Sequence, residues 1–402
     1  MTPEHRLTRV ILAGGFLAAL AIRVLFFAAL EVNWDSRWYA AVVAQLERGE
    51  DLFHGPTFYS YSPLWALFLR ALNSAALPLG VPLHRAVGVV LLVADVVSAL
   101  LVYGIVRRVS KDSPMPASGA ALLFFLNPVS VLATGFHNQF ENVSILFLLV
   151  AVFYAQVRPV RPREMSRGQV LRTCTRHSSV ILAALSSSLL VKHVTWFHPL
   201  LFIRSRRREG LSLAAGLAPY VVFALSFMPY WRTRQQLVKN VLGYRSMSES
   251  YGTAVLTEHG LLPEWAPRAL FLLAAAVGVI AFRRFEVGRA SLLLFLVLLL
   301  FLPGIAEYYL IWPIALGAVY RGAGFFVYTA VVSAFLLGSP DGLAVPFEHF
   351  PGWHGVWFAI LFWLLWELRR VRGSRFGPST RRSRVRQAAG APAANVQSEN
   401  VA

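Results

Sequence analysis

The chain has 402 residues, of which 56% are hydrophobic and 14% are charged, and its formal net charge is +18. A soluble domain carries about 25% charged residues, so this composition argues against a soluble globular protein. The positive charge is mostly arginine that clusters between apolar segments, which is typical of membrane topology signals and argues against a nucleic-acid partner. The single cysteine, Cys174, excludes an internal disulfide.

The apolar segments predict an all-α fold, a polytopic transmembrane helix bundle. Several approach or exceed the roughly 17 to 25 residues that cross a bilayer, where backbone groups must be satisfied within the segment. We expect about twelve spans. The first is not read as a cleavable signal peptide, because it is too long for one and lacks a cleavage site. They lie at residues 8–30, 84–106, 117–135, 140–157, 178–192, 194–204, 210–229, 266–282, 289–305, 308–320, 322–338 and 353–369.

Arginine-rich loops alternate along the chain with longer loops of mixed charge. The mixed loops, residues 31–83, 230–265 and 339–352, are expected to face outward and the arginine-rich loops to face the cytoplasm. This orientation predicts a multi-pass plasma-membrane protein with both termini in the cytoplasm. Residues 1–372 would form one transmembrane domain, and residues 373–402 a disordered basic tail near lipid headgroups.

The first outer loop, residues 31–83, is expected to contain two helices. Residues 36–48 place apolar groups at helical spacing, and Pro63 to Leu77 is apolar but carries Arg70. A crossing of the membrane by residues 63–77 would break the alternation of the later arginines. Both helices are therefore predicted to lie at the outer interface.

Asp35 follows the first predicted span and is our candidate general base. Its neighbours Trp34, Trp38 and Tyr39 would partly desolvate the carboxylate, and desolvation raises a carboxylate pKa toward the range useful for a base. The alternative is an interfacial aromatic belt with a solvated or helix-capping aspartate. Further along the loop, Tyr61 lies in a stretch, Tyr59 to Leu64, that also reads as a simple turn and helix start.

Polar groups also interrupt the apolar segments. Asp95, within the second predicted span, needs a buried partner, and a structural hydrogen bond is an alternative to a function. The hairpin between the third and fourth spans contains His137, Gln139 and Glu141 in a register that faces inward. These residues could bind a ligand, and the alternative is that they simply form a polar hairpin turn.

Lys192, His193 and His198 break the fifth and sixth predicted spans, which are expected to form a bent hairpin. Such groups at membrane depth are costly unless they meet an anion or a wet cavity, and a phosphate is the natural partner; snorkelling to the interface is the alternative. Glu307 immediately precedes the tenth predicted span, where the dipole of the helix alone would favour a carboxylate. The sequence shows no metal-ligand spacing and no nucleotide motif, so we expect no cofactor.

The order of these motifs resembles the GT-C superfamily of membrane glycosyltransferases, which use polyprenyl- or dolichyl-phosphate sugars. The resemblance covers roughly residues 1–320. It rests on motifs in a shared order: Asp35, the stretch Tyr61-Ser62-Pro63-Leu64, Ala94-Asp95, Asn127-Pro128, the hairpin residues 135–142, Lys192 and the stretch 307–313. The chain has Tyr-Ser-Pro-Leu where members often have Tyr-Pro-Pro-Leu, and Glu307 where many have Gln.

The resemblance implies an inverting transfer of a hexose, with mannose favoured, to a glycan or glycolipid hydroxyl on the non-cytoplasmic face. Asp35 would then be the base. The donor phosphate and sugar would be bound by residues of the motifs and by outer cations: Arg37, Tyr61, His137, Gln139, Glu141, Lys192, His193 and Glu307, with Arg70 a further cation within reach.

Two other functions fit the composition. A transporter or flippase for a lipid-linked or anionic substrate would also have many spans, although no internal repeat matches the outer loop 31–83 in the second half. A non-catalytic assembly subunit of the same fold is the third reading, against which Asp35 argues. The acceptor, the lipid length and the oligomeric state stay open.

Overall fold

The fold is described from a computed structural model that covers residues 3–29, 34–55, 57–109, 114–156, 167–203, 213–241, 243, 251, 253–338 and 352–375. Within these ranges the secondary structure is helical, with no strand beyond isolated bridge residues. The prediction of an all-α fold is therefore confirmed at this level. The predicted tail, residues 373–402, lies almost wholly outside the described residues.

The α-helices, in chain order, are α1 Pro3–Ala29, α2 Trp34–Glu47, α3 Pro63–Ala76, α4 Leu83–Val109, α5 Pro114–Phe125, α6 Pro128–Ser130, α7 Glu141–Gln156, α8 Arg167–Val191, α9 His198–Leu201, α10 Leu213–Ser226, α11 Arg234–Val241, α12 Ala254–Glu258, α13 Ala266–Phe282, α14 Val287–Phe301, α15 Ile314–Tyr320, α16 Ala323–Leu337 and α17 Gly352–Arg375. Short 3-10 helices adjoin several of them, at Leu77–Leu79, His193–Thr195, Met228–Thr233 and Glu307–Ile311, and a π-helix follows α6 at Val131–Phe136.

The long helices run between two ends of one bundle. Helices α2 and α3 lie at the first end, which we call the α2–α3 end, and α8 finishes there, where Lys192 meets the Tyr61 ring. At the opposite end Glu286 accepts hydrogen bonds from Gln156 and Tyr320. These bonds join the end of α7, the start of α14 and the end of α15.

The number of predicted spans is not reproduced as separate long helices. Among the described residues, Leu83–Val109 alone is long and apolar enough to cross a bilayer, and two bent pairs of helices would raise the number to three. The pairs are Pro116–Phe125 with Pro128–Phe136, bent by 40°, and Leu213–Ser226 with Met228–Val241, bent by 63°. Apolar helices of 10–17 residues account for much of the rest of the bundle.

The prediction of a helical sixth span at residues 194–204 is wrong. Only four of those residues form α9, about 6 Å of helix where a bilayer core needs about 30 Å. The segment nevertheless extends from the α2–α3 end toward the opposite end of the bundle. It starts at Lys192, whose Nζ lies 5.5 Å from the Tyr309 ring centre. His198 Nε2 then lies 3.4 Å from the Ser291 carbonyl oxygen, near the start of α14.

The tenth predicted span, residues 308–320, is also not one helix. The 3-10 helix Glu307–Ile311 is followed by Trp312 and Pro313 and then by α15, which has seven residues. The third predicted span, residues 117–135, is also interrupted, at Asn127 and Pro128. The Asn127 side chain caps α6, and Pro128 occupies the first helical position, where its missing N–H costs no hydrogen bond.

The first outer loop is folded, as predicted. Residues 34–47 and 63–76 form α2 and α3, and they enclose a cluster of buried side chains with α4, α8 and α10. Asp51 holds the loop between them by accepting a hydrogen bond from the Phe53 backbone at 2.9 Å. Thr233 donates to Asp51, and Asn240 donates to the Phe53 carbonyl at 3.1 Å, so two of the predicted outer loops pack together.

Asp95 has the buried partner that its position requires. Arg23, in α1, contacts Asp95 Oδ2 through Nε at 3.0 Å, and both side chains are inaccessible. Thr134 and Asn142 donate to the same carboxylate, and Arg23 also donates to Ser130 Oγ. The network ties α1 to α4, α6 and α7, which favours the structural alternative for Asp95.

Candidate functional site

A buried ion pair lies at the centre of the candidate site. Lys192 follows α8 in an extended conformation, with φ −156° and ψ 135°, and the chain then turns into the 3-10 helix His193–Thr195. This turn directs the Lys192 ammonium against the carboxylate of Glu141, the first residue of α7. Their side chains are 2% and 0% exposed, so each charge depends on the other for compensation.

Four aromatic rings surround the Lys192 ammonium. Its Nζ lies 4.8 Å from the ring centre of Tyr61 and 4.7 Å from that of Phe140. The rings of Tyr308 and Tyr309 lie at 4.7 Å and 5.5 Å on the 3-10 helix Glu307–Ile311. Each distance is within the range of a cation–π interaction, which is strongest when the cation is desolvated.

Asp35 lies within electrostatic range of this cluster. It lies in the first turn of α2, where a carboxylate is favoured by the helix dipole, and it is half-buried. It interacts electrostatically with Lys192 and with Tyr39. Burial, followed by the charges of Asp35 and Glu141, raises the pKa of Tyr39 well above its usual value, so this phenol stays protonated and donates to the Asn138 carbonyl at 3.0 Å.

The remaining hairpin residues line the other side of the cluster. His137 Nε2 lies 3.9 Å from Glu307 Oε2, which joins the hairpin to the 3-10 helix Glu307–Ile311. Gln139 is 3% exposed, and its side-chain Nε2 has no hydrogen-bond partner in the described protein; nor has Glu141 Oε2. Asn138, at φ 57°, turns the chain between them. Buried polar atoms of this kind are suited to a ligand's hydroxyl groups.

A cavity of about 610 Å³ opens beside Lys192, a volume in the range of small-molecule sites. Much of its wall is apolar and comes from the segment after Lys192 and from α10, α13 and α14. Phe197, Phe223, Phe271 and Leu298 are among those residues. We call the part formed by Lys192, His193, Tyr309 and Trp312 the Lys192 end of the cavity.

The irregular sixth segment explains why this space exists. Helix α10 packs on α8 and α9, and α13 packs on α14 and α9. Because α9 is one turn long, it fills only part of the width between α10 and α13. Irregular backbone at membrane depth is tolerated where it lines a cavity, and Val194, Trp196 and Phe197 of this segment line it.

Some predicted site residues do not join the cluster. Arg37 and Arg70 are exposed, in α2 and α3. His198 is inaccessible and packs on Phe295, with ring centres 4.2 Å apart. The structure brings together Tyr61, Lys192 and His193 with Glu141, and it places His137 and Glu307 together. Asp35 lies within electrostatic range of Lys192.

Sequence reasoning did not single out several residues. Phe140 contacts Lys192, and Trp65 stacks on Phe140 with ring centres 4.2 Å apart. Arg23 lies within the first predicted span, and the signal that could have identified it is an arginine in an apolar segment, which indicates a buried partner. Trp312 lies in the cavity wall, and its sequence signal, an aromatic beside a proline, is also that of a membrane-interface belt.

Among the described residues, no group of three or more His, Cys, Asp or Glu side chains is arranged to hold a metal ion. The chain matches no protein-family model, no curated protein and no solved structure.

Proposed function

We propose that the chain is a membrane glycosyltransferase that moves a hexose, with mannose favoured, from a polyprenyl-phosphate donor to a hydroxyl of a glycan or glycolipid. The observation that carries this proposal is that the buried cation Lys192 lines a cavity whose wall is largely apolar and lies within electrostatic range of Asp35. The bundle is proposed to cross the membrane about twelve times, with the short segments counted, and the α2–α3 end faces away from the cytoplasm.

The cavity suits a lipid phosphate. Its apolar wall would take the first isoprene units from the membrane, between α10 and α13, and Lys192 and His193 would meet the phosphate. An ammonium has three N–H donors, so Lys192 retains donors for a phosphate oxygen while it contacts Glu141. A lipid donor also agrees with a sequence that has no nucleotide motif.

The proposed transfer step uses the charges of Asp35 and Lys192. The acceptor oxygen attacks the anomeric carbon, the bond from that carbon to the phosphate oxygen breaks, and the acceptor proton passes to Asp35. The phosphodiester becomes a monoester and gains one negative charge while Asp35 loses one. The net charge around Lys192 therefore stays constant, which is favourable in a site of low dielectric.

Glu141 and Gln139 are proposed to orient the sugar. The unpartnered oxygen of Glu141 would accept a hydrogen bond from a sugar hydroxyl, and the Gln139 amide would donate one. His137 and Glu307 would hold the hairpin against the 3-10 helix that carries Tyr308 and Tyr309.

The test is incubation of purified protein with polyprenyl-phosphate-mannose or -glucose and a glycolipid acceptor. We expect sugar transfer with release of polyprenyl phosphate, and parallel reactions with and without a chelator would report on metal dependence. Protein reconstituted in vesicles that moves the lipid between leaflets without releasing phosphate would contradict the enzyme and favour a flippase.

A further inference from the structure

One residue at the Lys192 end of the cavity carries a hydrogen-bond donor for which the described protein supplies no partner. Trp312 is 4% exposed, it lines the cavity, and its indole Nε1 has no hydrogen-bond partner in the described protein. A buried tryptophan N–H normally finds a partner, because leaving it unpaired costs about 1–3 kcal/mol. Other unpartnered indoles, those of Trp65, Trp363 and Trp366, do not line the cavity.

Trp312 is held in place next to the ion pair. It follows the 3-10 helix Glu307–Ile311, its backbone N–H donates to Tyr309, and the two rings lie 4.8 Å apart. Phe295 of α14 also packs near the indole, with ring centres 6.0 Å apart. Tyr309 in turn contacts the Lys192 ammonium, so Trp312 and Lys192 border the same part of the cavity.

The ligand that fits is identified by the chemistry of the donors. An indole offers one N–H and no acceptor, and a lysine ammonium offers only donors. His193, whose Nδ1 is buried and has no partner, lines the same end of the cavity. The ammonium and the indole are both donors, which select oxygen acceptors, and hydrogen bonds to a charged oxygen are about twice as strong as those between neutral groups.

We infer that Trp312 is a further substrate-binding residue that donates its indole N–H to a phosphate oxygen of the lipid donor beside Lys192. This inference rests on the proposed function. It adds a neutral donor to the site, which strengthens phosphate binding without adding a positive charge that would draw Asp35 or Glu141 out of position.

The experiment measures binding of geranyl phosphate, and of geraniol as its uncharged counterpart, to the full chain in detergent by calorimetry. Trp312→Phe should weaken binding of geranyl phosphate by about 10- to 100-fold and leave binding of geraniol nearly unchanged. The matched control is Trp363→Phe, which removes another buried, unpartnered indole N–H from α17. This control should bind geranyl phosphate like the wild type.

A second variant separates the hydrogen bond from packing. Benzothienylalanine at position 312 replaces the indole N–H by sulfur with nearly the same ring, so it should fold like the wild type and bind geranyl phosphate as weakly as Trp312→Phe. Wild-type affinity in this variant would overturn the role of Trp312 even if the wild type transfers sugar. Wild-type protein that binds geraniol as well as geranyl phosphate would overturn the phosphate site itself, and with it the proposed function.

Discussion

The chemistry of single residues centres on one buried cation. Lys192 is compensated by Glu141 and surrounded by four rings, so it is held in one position before any ligand arrives. In the proposed reaction, a lysine fixed in this way would need no reorganisation when charge develops on the leaving phosphate.

Replacing Lys192 with Met should destabilise the protein, because the Glu141 carboxylate would be left buried without a partner. The expected loss is about 3–5 kcal/mol, measured by thermal unfolding in detergent. The double variant Lys192→Met/Glu141→Gln should recover much of this loss. Lys239→Met is the control, since Lys239 is exposed; an equal effect in the control would show that the ion pair is not the cause.

At the scale of elements, the helices depend on contacts that their own sequences do not show. The Arg23–Asp95 network joins α1 to three other elements, and nothing in the local pattern near Arg23 identifies Asp95 as its partner. The sequence could indicate that Asp95 needs a partner, because a charge in an apolar segment is costly. The identity of that partner depends on packing between segments 72 residues apart.

The variant Arg23→Met is expected to loosen α1 from the bundle. Asp95 would lose its cation while remaining buried, at a cost of about 3–5 kcal/mol. Limited proteolysis and thermal unfolding would detect the change. Arg85→Met in α4 provides the control because Arg85 is exposed. If the two variants unfold at the same temperature, the network does not stabilise α1.

The broken segments show where sequence patterns stop being informative. Apolar periodicity predicted helices at 194–204 and 308–320, and the structure has 3-10 turns and short helices there. Both segments contain a proline, Pro199 or Pro313, which removes a backbone donor. The cavity occupies the space between α10 and α13 that the short helix α9 leaves unfilled. Its existence depends on how these helices pack, which hydropathy does not predict.

At the scale of the whole molecule, the all-helical character and the folded outer loop were predictable from composition and periodicity. The membership of the site was predictable only in part. Asp35, Tyr61, Lys192 and Glu141 come from four separate segments, and their order along the chain suggested the proposed site only through a resemblance to a known family. Arg37 stands two residues after Asp35, yet it is exposed on α2, since neighbours in a helix point in different directions.

The proposed topology makes a prediction for the whole chain. In a Cys174→Ser background, Glu258→Cys, on α12 at the α2–α3 end, should react with a membrane-impermeant maleimide in intact cells. Arg283→Cys, between α13 and α14 at the opposite end, should react only after permeabilisation. Both residues are exposed, so access to the reagent depends on the membrane. Labelling of Arg283→Cys in intact cells would contradict the proposed orientation, because it would show that Arg283 faces outward and Asp35 faces the cytoplasm.

The most direct measurement compares donor binding with sugar transfer in Asp35→Asn. The amide keeps the size of the side chain and removes the base, so the variant should bind polyprenyl-phosphate-mannose as the wild type does and transfer the sugar about 10²- to 10⁴-fold more slowly. Glu50→Gln, an exposed carboxylate in the same loop, should retain full activity. Transfer by Asp35→Asn at the wild-type rate would contradict the account, because the carboxylate within electrostatic range of Lys192 would then have no part in the reaction.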